Sequence, residues 1–253
     1  TSYIILDDLF NDSLDKVEKY HKVFNELPFK INWVSYGRLD LFQKAHEMAD
    51  MLYESGLKGM FFGVETLNEK AGRIVGKGLG EKRVQKLLNF LYDKWGNEIS
   101  VHANFIVGLP GESKDSLRHT FDWAMSEDSK LDSHFYIPLG IDESLRTQTN
   151  SQGSGSDMSN DPNKFGVAID NLTGEWYHEL ITERQSVKLA KYFQMLSKKH
   201  SKIPTFELAF LSSLGYPIKE LQIKTMGEVI NNGDYYNRKK ERIKSYFEKL
   251  MNY

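Results

Sequence analysis

Residues 101 to 113 read Val-His-Ala-Asn-Phe-Ile-Val-Gly-Leu-Pro-Gly-Glu-Ser and lead directly into Lys114-Asp115-Ser116-Leu117. The apolar stretch is strand-like. The two glycines tolerate positive φ and Pro110 fixes its own, which together specify a tight turn. Ser113 is a helix N-cap, with acidic Asp115 in the first turn. A buried strand, a tight turn and a capped helix follow one another without a linker. A strand that runs into a helix in this way needs a parallel partner reached by a crossover.

The same alternation recurs along the first 140 residues. Tyr3 to Leu6 is a short apolar run ending in Asp7-Asp8. Leu14, Val17, Tyr20, Phe24 and Leu27 are spaced for a helix that Pro28 stops. Ile31 to Tyr36 is a strand closed by Gly37, and Leu41 to Leu52 is a helix ended by Gly56. Gly59 to Glu65 is the third strand, followed by helices at Glu69 to Val75 and Glu81 to Trp95. Ile99 to Val107 is the fourth strand, with a helix from Lys114 to about Met125, and Asp132 to Leu139 is the fifth. This order predicts an α/β fold with a parallel sheet under helical cover, either a barrel, whole or partial, or a doubly wound sheet. Chemistry in either gathers at the strand C-terminal ends, where Asp7, Asp8, Arg38, Glu65, Gly108 and Glu112 lie.

Beyond Gly140 the character changes. Residues 141–164 form a polar, glycine-rich loop expected to be flexible. Phe165 to Tyr177 reads as a β-hairpin with a long turn, and the pattern from Thr182 onward is helical, ending in a charged helix from Tyr235 to Met251. The predicted organisation is thus a core over 1–140, a loop over 141–164 and a hairpin plus helical region over 165–253.

Several functions are excluded or weakened. The formal charge of −2 gives no basic field for nucleic acid. No apolar run approaches the ~20 residues of a membrane span, so a cytoplasmic location is expected. With no cysteine, the chain holds no disulfide, thiol nucleophile or thiolate-bound metal. The stretch from Ala71 to Gly78 lacks both the first glycine and the final Ser/Thr of a phosphate-binding P-loop. His46 to Asp50 fails the zinc-protease pattern at Asp50, and the basic run Arg238 to Lys244, broken by Glu241, reads as a solvated helix face.

The run Phe105 to Glu112 resembles the fifth strand of radical S-adenosylmethionine (SAM) enzymes, which usually ends in glycine, leucine, proline, glycine, glutamate. Phe62-Gly63-Val64-Glu65-Thr66-Leu67 with Ile74 to Leu79 resembles the family's fourth strand and following segment, in the right order and separation. Tyr3 to Phe10 resembles the second strand, Trp33 to Arg38 the third and Tyr136 to Pro138 the sixth. After Pro138 the chain departs from the family's usual glycine–threonine–proline. Trp176-Tyr177-His178 is similar to a segment just after the barrel in the cobalamin-binding subgroup.

The resemblance implies a partial (β/α)6-type, TIM-like barrel with strands two to six present and a helical C-terminal appendage. It implies that Glu65, beside Gly63, holds the SAM amino group, a carboxylate being suited to an ammonium in a partly buried site. Asn104, Ile106 and Gly108 would face the adenosyl moiety, Glu112 would brace the turn or the ribose side, and Arg38 would face the SAM carboxylate or a substrate anion. Tyr136 and Pro138 lie where backbone reaches the adenine edge.

The cofactors implied are SAM and a 4Fe-4S cluster with ligands outside this chain, plus cobalamin through an upstream domain in the subgroup. A flavodoxin- or ferredoxin-type electron donor is implied as well. The activity implied is reductive cleavage of SAM to a 5′-deoxyadenosyl radical, on an unidentified substrate. The chain starts at Thr1 without Met, close to a strand, and is expected to be a fragment lacking the cluster loop and inactive alone. Two other readings remain open. One is a barrel-like binding or scaffold module without radical chemistry. The other is a TIM-type lyase or hydrolase using Asp7, Asp8, Glu65 or Glu112 as acid, base or metal ligand.

Overall fold

The computed structural model describes residues 2–7, 9–76, 78–141, 156–231 and 234–251. Its centre is one five-stranded, all-parallel sheet made of β1 (Ser2–Ile5), β2 (Asn32–Gly37), β3 (Leu57–Glu65), β4 (Ser100–Val107) and β5 (Ser133–Pro138), ordered in space as in sequence. The expected strand–helix alternation is present. The sheet is open rather than a closed barrel, with β1 and β5 at its edges.

The connections are α1 (Leu14–Glu26), α2 (Met48–Glu54), α3 (Glu69–Ile74), α4 (Glu81–Trp95) and α5 (Lys114–Ala124). Ser13 caps α1 and Asn68 caps α3, while Ser113 and Ser116 form a reciprocal capping box at α5. The predicted single helix from Leu41 to Leu52 is instead a 3-10 turn over Leu39–Gln43 followed by α2. Leu39 and Phe42 are both buried, and the three-residue turn stacks positions i and i+3 toward the core together.

Side chains alternate across the sheet. Trp33, Met60, Phe62, Phe105, Val107 and Tyr136 point to one face and build the main core against α1 to α5. Ile4, Tyr36, Phe61, Gly63, Asn104, Ile106, Phe135 and Ile137 occupy the other, inner face.

Of the predicted loop, residues 142–155 lie outside the described residues. The rest carries α6 (Ser156–Asn160) and a 3-10 turn over Pro162–Phe165. The expected hairpin is β6 (Ala168–Ile169) paired antiparallel with β7 (Trp176–Tyr177). Then come α7 (Glu183–His200), α8 (Thr205–Ser213), α9 (Ile218–Leu221), α10 (Met226–Asn231) and α11 (Tyr235–Met251).

The hairpin and α7 feed Val167, Trp176, Ala190 and Phe193 into the main core. A second cluster, around Ile203, Leu208, Leu211, Leu221 and Val229, holds the later helices. α8 lies on the N-terminal half of the inner face. A Cβ on Gly59 would stand 2.8 Å from Thr205, and the Phe206 ring sits 4.8 Å from Tyr36 and 5.8 Å from Phe61.

Candidate functional site

The C-terminal half of the inner face is left open by α8, and the sequence candidates divide over it. β3 and β4 are paired so that Gly63 stands opposite Asn104, then the register slips so that Glu65 faces Phe105. This irregularity coincides with a φ of +67° at Glu65, a left-handed conformation uncommon for a residue with a Cβ. The kink folds the Glu65 side chain back over the strand, placing Oε1 2.7 Å from where a Cβ on Gly63 would be. Glycine at 63 is therefore what lets the carboxylate lie on the sheet.

Beside it, Asn104 Oδ1 is buried and accepts no hydrogen bond. An orphaned amide oxygen costs about 1–3 kcal/mol unless something fills it. Ile106 follows on the same face, half-buried, and Phe135 and Ile137 of β5 stand in register with Asn104 and Ile106, both exposed. The structure thus brings Gly63, Glu65, Asn104 and Ile106 together on one face of the sheet, in the half that α8 does not cover.

The other candidates lie off that surface or, in β5, in the strand beside it. Gly108 has φ +98°, and the space beside it is already filled: a Cβ there would meet the Trp176 ring at 2.7 Å and Ser186 Oγ at 2.9 Å. Its carbonyl accepts from His178 Nε2 at 3.2 Å, and Ser186 Oγ donates to the Val107 carbonyl at 2.6 Å. Glu112 is 1% exposed and braces two turns. Its Oε1 accepts from Thr66 Oγ1 at 2.7 Å, and its Oε2 accepts from the N–H groups of Gly108 and Leu109 at 3.3 and 3.2 Å. Burial pushes this carboxyl up to about 7 while those donors pull it down.

The Tyr136 side chain points to the opposite face, among Phe105, Phe121 and Phe193, and its N–H donates to Gln194 Oε1 at 3.1 Å. Pro138 ends β5. The Arg38 guanidinium is paired with Asp40 at 2.6 Å and half exposed. Asp7 is held by Lys16 at 2.8 Å, which keeps its carboxylate below the usual range, and Asp8 lies outside the described residues.

Some supporting residues carry no signal in the sequence. Asn11, fully buried, clasps Arg38 from both sides: its Oδ1 accepts the Arg38 N–H at 2.8 Å and its Nδ2 donates to the Arg38 carbonyl at 3.0 Å. Ser186 is another. His178 did carry one through the Trp-any-His resemblance. Beside it, Glu183 accepts the Trp176 N–H at 3.0 Å and Trp176 Nε1 donates to the Leu139 carbonyl at 3.0 Å.

The open surface fits SAM in kind, with a carboxylate for an ammonium, an orphan acceptor and an apolar flank. A thiolate-held iron–sulfur cluster does not fit the residues of this chain. It has no cysteine, and among the described residues no group of three His, Asp or Glu is placed to hold a metal.

No protein-family model and no curated protein matches the chain. Among solved structures, it is similar to the radical SAM methyltransferase TsrM from Kitasatospora setae with tryptophan substrate and the SAM analog aza-SAM bound. That match has a TM-score of 0.54 and 14% identity over 91% of this chain and 53% of that one. TsrM with cobalamin and a 4Fe-4S cluster bound matches at 0.51 and 14% identity, over 98% and 52%. Coproporphyrinogen III oxidase (HemN) from Escherichia coli, a radical SAM enzyme, scores only 0.43 at 15% identity over 61% and 38%. The chain thus spans about half the length of TsrM. At such identity the likeness is one of fold alone, and in fold this chain is similar to the radical SAM methyltransferase TsrM.

Proposed function

We propose that the open half of the inner face binds SAM and that the chain is the SAM-binding part of a radical SAM enzyme. The observation that carries this reading is the orphaned Asn104 Oδ1 beside Gly63 and Glu65, on the surface where the fold gathers strand ends. SAM held there would be the group that supplies the radical chemistry of such enzymes, and the residues of this chain would orient it and would not hold the reductant.

This chain's own share is positioning. The Glu65 carboxylate pairs with the aminoacyl ammonium, Asn104 Oδ1 accepts from the adenosyl moiety, and Ile106 flanks the adenine. Gly108 drops out of the contact set because Trp176 and Ser186 occupy its open side. Glu112 acts one step back, locking the β3 and β4 turns together. Paired carboxylates for a lyase or hydrolase are not favoured, since Asp7 is tied to Lys16 and Glu112 is sealed.

SAM titrated into the chain should shift the amide resonances of Gly63, Asn104 and Ile106 and leave those of α11 unmoved. Asn104→Ala, which deletes an unpaired acceptor, should fold with unchanged or slightly higher stability yet bind SAM at least tenfold more weakly. Shifts that avoid the inner face, or an Asn104→Ala chain with wild-type affinity, would overturn the assignment.

A further inference from the structure

Along the outer edge of β5, between that strand and α7, runs a groove of about 500 Å³. This size is within the range of small-molecule sites. Its apolar lining includes Phe135 and Ile137 from the strand with Val187 and Met195 from the helix, and among the described residues its charged lining is Lys191 and Lys198. Val187, Lys191, Met195 and Lys198 recur at helical spacing, so all four present one stripe of α7.

The strand edge itself is not free for another strand. Gln194 takes the Tyr136 N–H, and Ser197 Oγ donates to the His134 carbonyl at 2.9 Å. What stays exposed is side chain: Phe135 at 39%, Ile137 at 42% and Met195 at 53%. Neither lysine has an ion-pair partner among the described residues, although other surface lysines such as Lys94 and Lys202 do.

We propose that this groove binds a small amphiphile with an anionic head, its apolar body against Phe135, Ile137 and Met195 and its head on Lys191 and Lys198. Two cations over an apolar floor, with no acidic group among the described lining residues, favour that charge sign. A cationic or neutral amphiphile leaves both ammonium groups without a counter-charge. The two lysines stand about 10 Å apart along the helix at 1.5 Å per residue. The groove therefore offers its positive charge over a length instead of at one point. This proposal does not depend on the SAM reading, although Phe135 and Ile137 border both surfaces.

Dodecanoate, used below its micelle concentration, is the probe, with dodecyltrimethylammonium as the charge-reversed control, each titrated by calorimetry into the full chain. Dodecanoate should bind and the cation should not. The exposed substitutions Lys191→Glu and Lys198→Glu should each weaken dodecanoate at least fivefold, the pair should abolish binding, and Met195→Asp should do the same. Equal affinity for both amphiphiles, affinity untouched by the lysine substitutions, or no binding of dodecanoate would each overturn the proposal. SAM-induced shifts at Gly63 and Asn104, measured separately, report on the other surface.

Discussion

Glu112 shows how one buried carboxyl ties stability to pH. It titrates at about 7 in the folded protein against an ordinary 4.5, with burial as the dominant cause. Between those values the folded chain holds a proton that the unfolded chain has released. The stabilising contribution is therefore complete below about pH 4.5 and is lost as pH rises through 7. Glu112→Gln keeps an acceptor for the Gly108 and Leu109 N–H groups and removes the titration. We expect it to exceed the wild type in stability at pH 8 by roughly 3–4 kcal/mol, a pKa unit being worth about 1.4 kcal/mol, and to lose that advantage by pH 4. Urea unfolding at the two values checks this, and an advantage independent of pH would contradict it. His102 and His134 work in the opposite sense, burial having lowered them to about 3 and about 4, so they weaken the fold as pH falls below 6.5. Both variants share that trend, and it cancels in the difference.

The turn after β4 is joined to elements far along the chain. Trp176, His178 and Ser186 all close on Gly108, which couples the hairpin and the start of α7 to the strand end. Gly108→Ala combines a left-handed φ with overpacking against the Trp176 ring. We expect a loss of about 2–5 kcal/mol, read by thermal or urea unfolding, and a change under ~0.5 kcal/mol would show that the ring yields freely. The strands themselves were legible because a covered parallel sheet writes nearly continuous apolar runs, as in Met60 to Val64 and Ala103 to Val107. The start of α5 was legible through its cap at Ser113, whereas the caps at Ser13 and Asn68 were seen only in the structure. What could not be seen were contacts across long separations with no local pattern: Asn11 to Arg38, Ser186 to Val107, Gln194 to Tyr136. The glycine at 108 was visible as a turn, but its neighbour in space, Trp176, was not, so approach by a ligand and packing by a tryptophan looked alike. The motif Gly63-Val64-Glu65 suggested its own chemistry, though not the kink that lays the carboxylate over the glycine.

Over the whole molecule, α8 is the joint between two cores. Thr205 and Phe206 meet the sheet, while Leu208 and Leu211 belong to the second cluster. Leu211→Ala should cost about 2–5 kcal/mol locally and, by hydrogen exchange, speed the amides of α8 to α10 well before those of β2 to β4. Uniform acceleration across both regions would show that the two cores unfold as one. The same helix also fixes a length. The contact of Phe206 with Phe61 is a floor beneath the open face, and from Gly63 opposite Asn104 to the strand ends is about three residues, or ~10 Å at 3.3 Å each. The face therefore measures what it receives. A molecule longer than that span has to stand proud of the strand ends, and whatever meets it there meets its outer end.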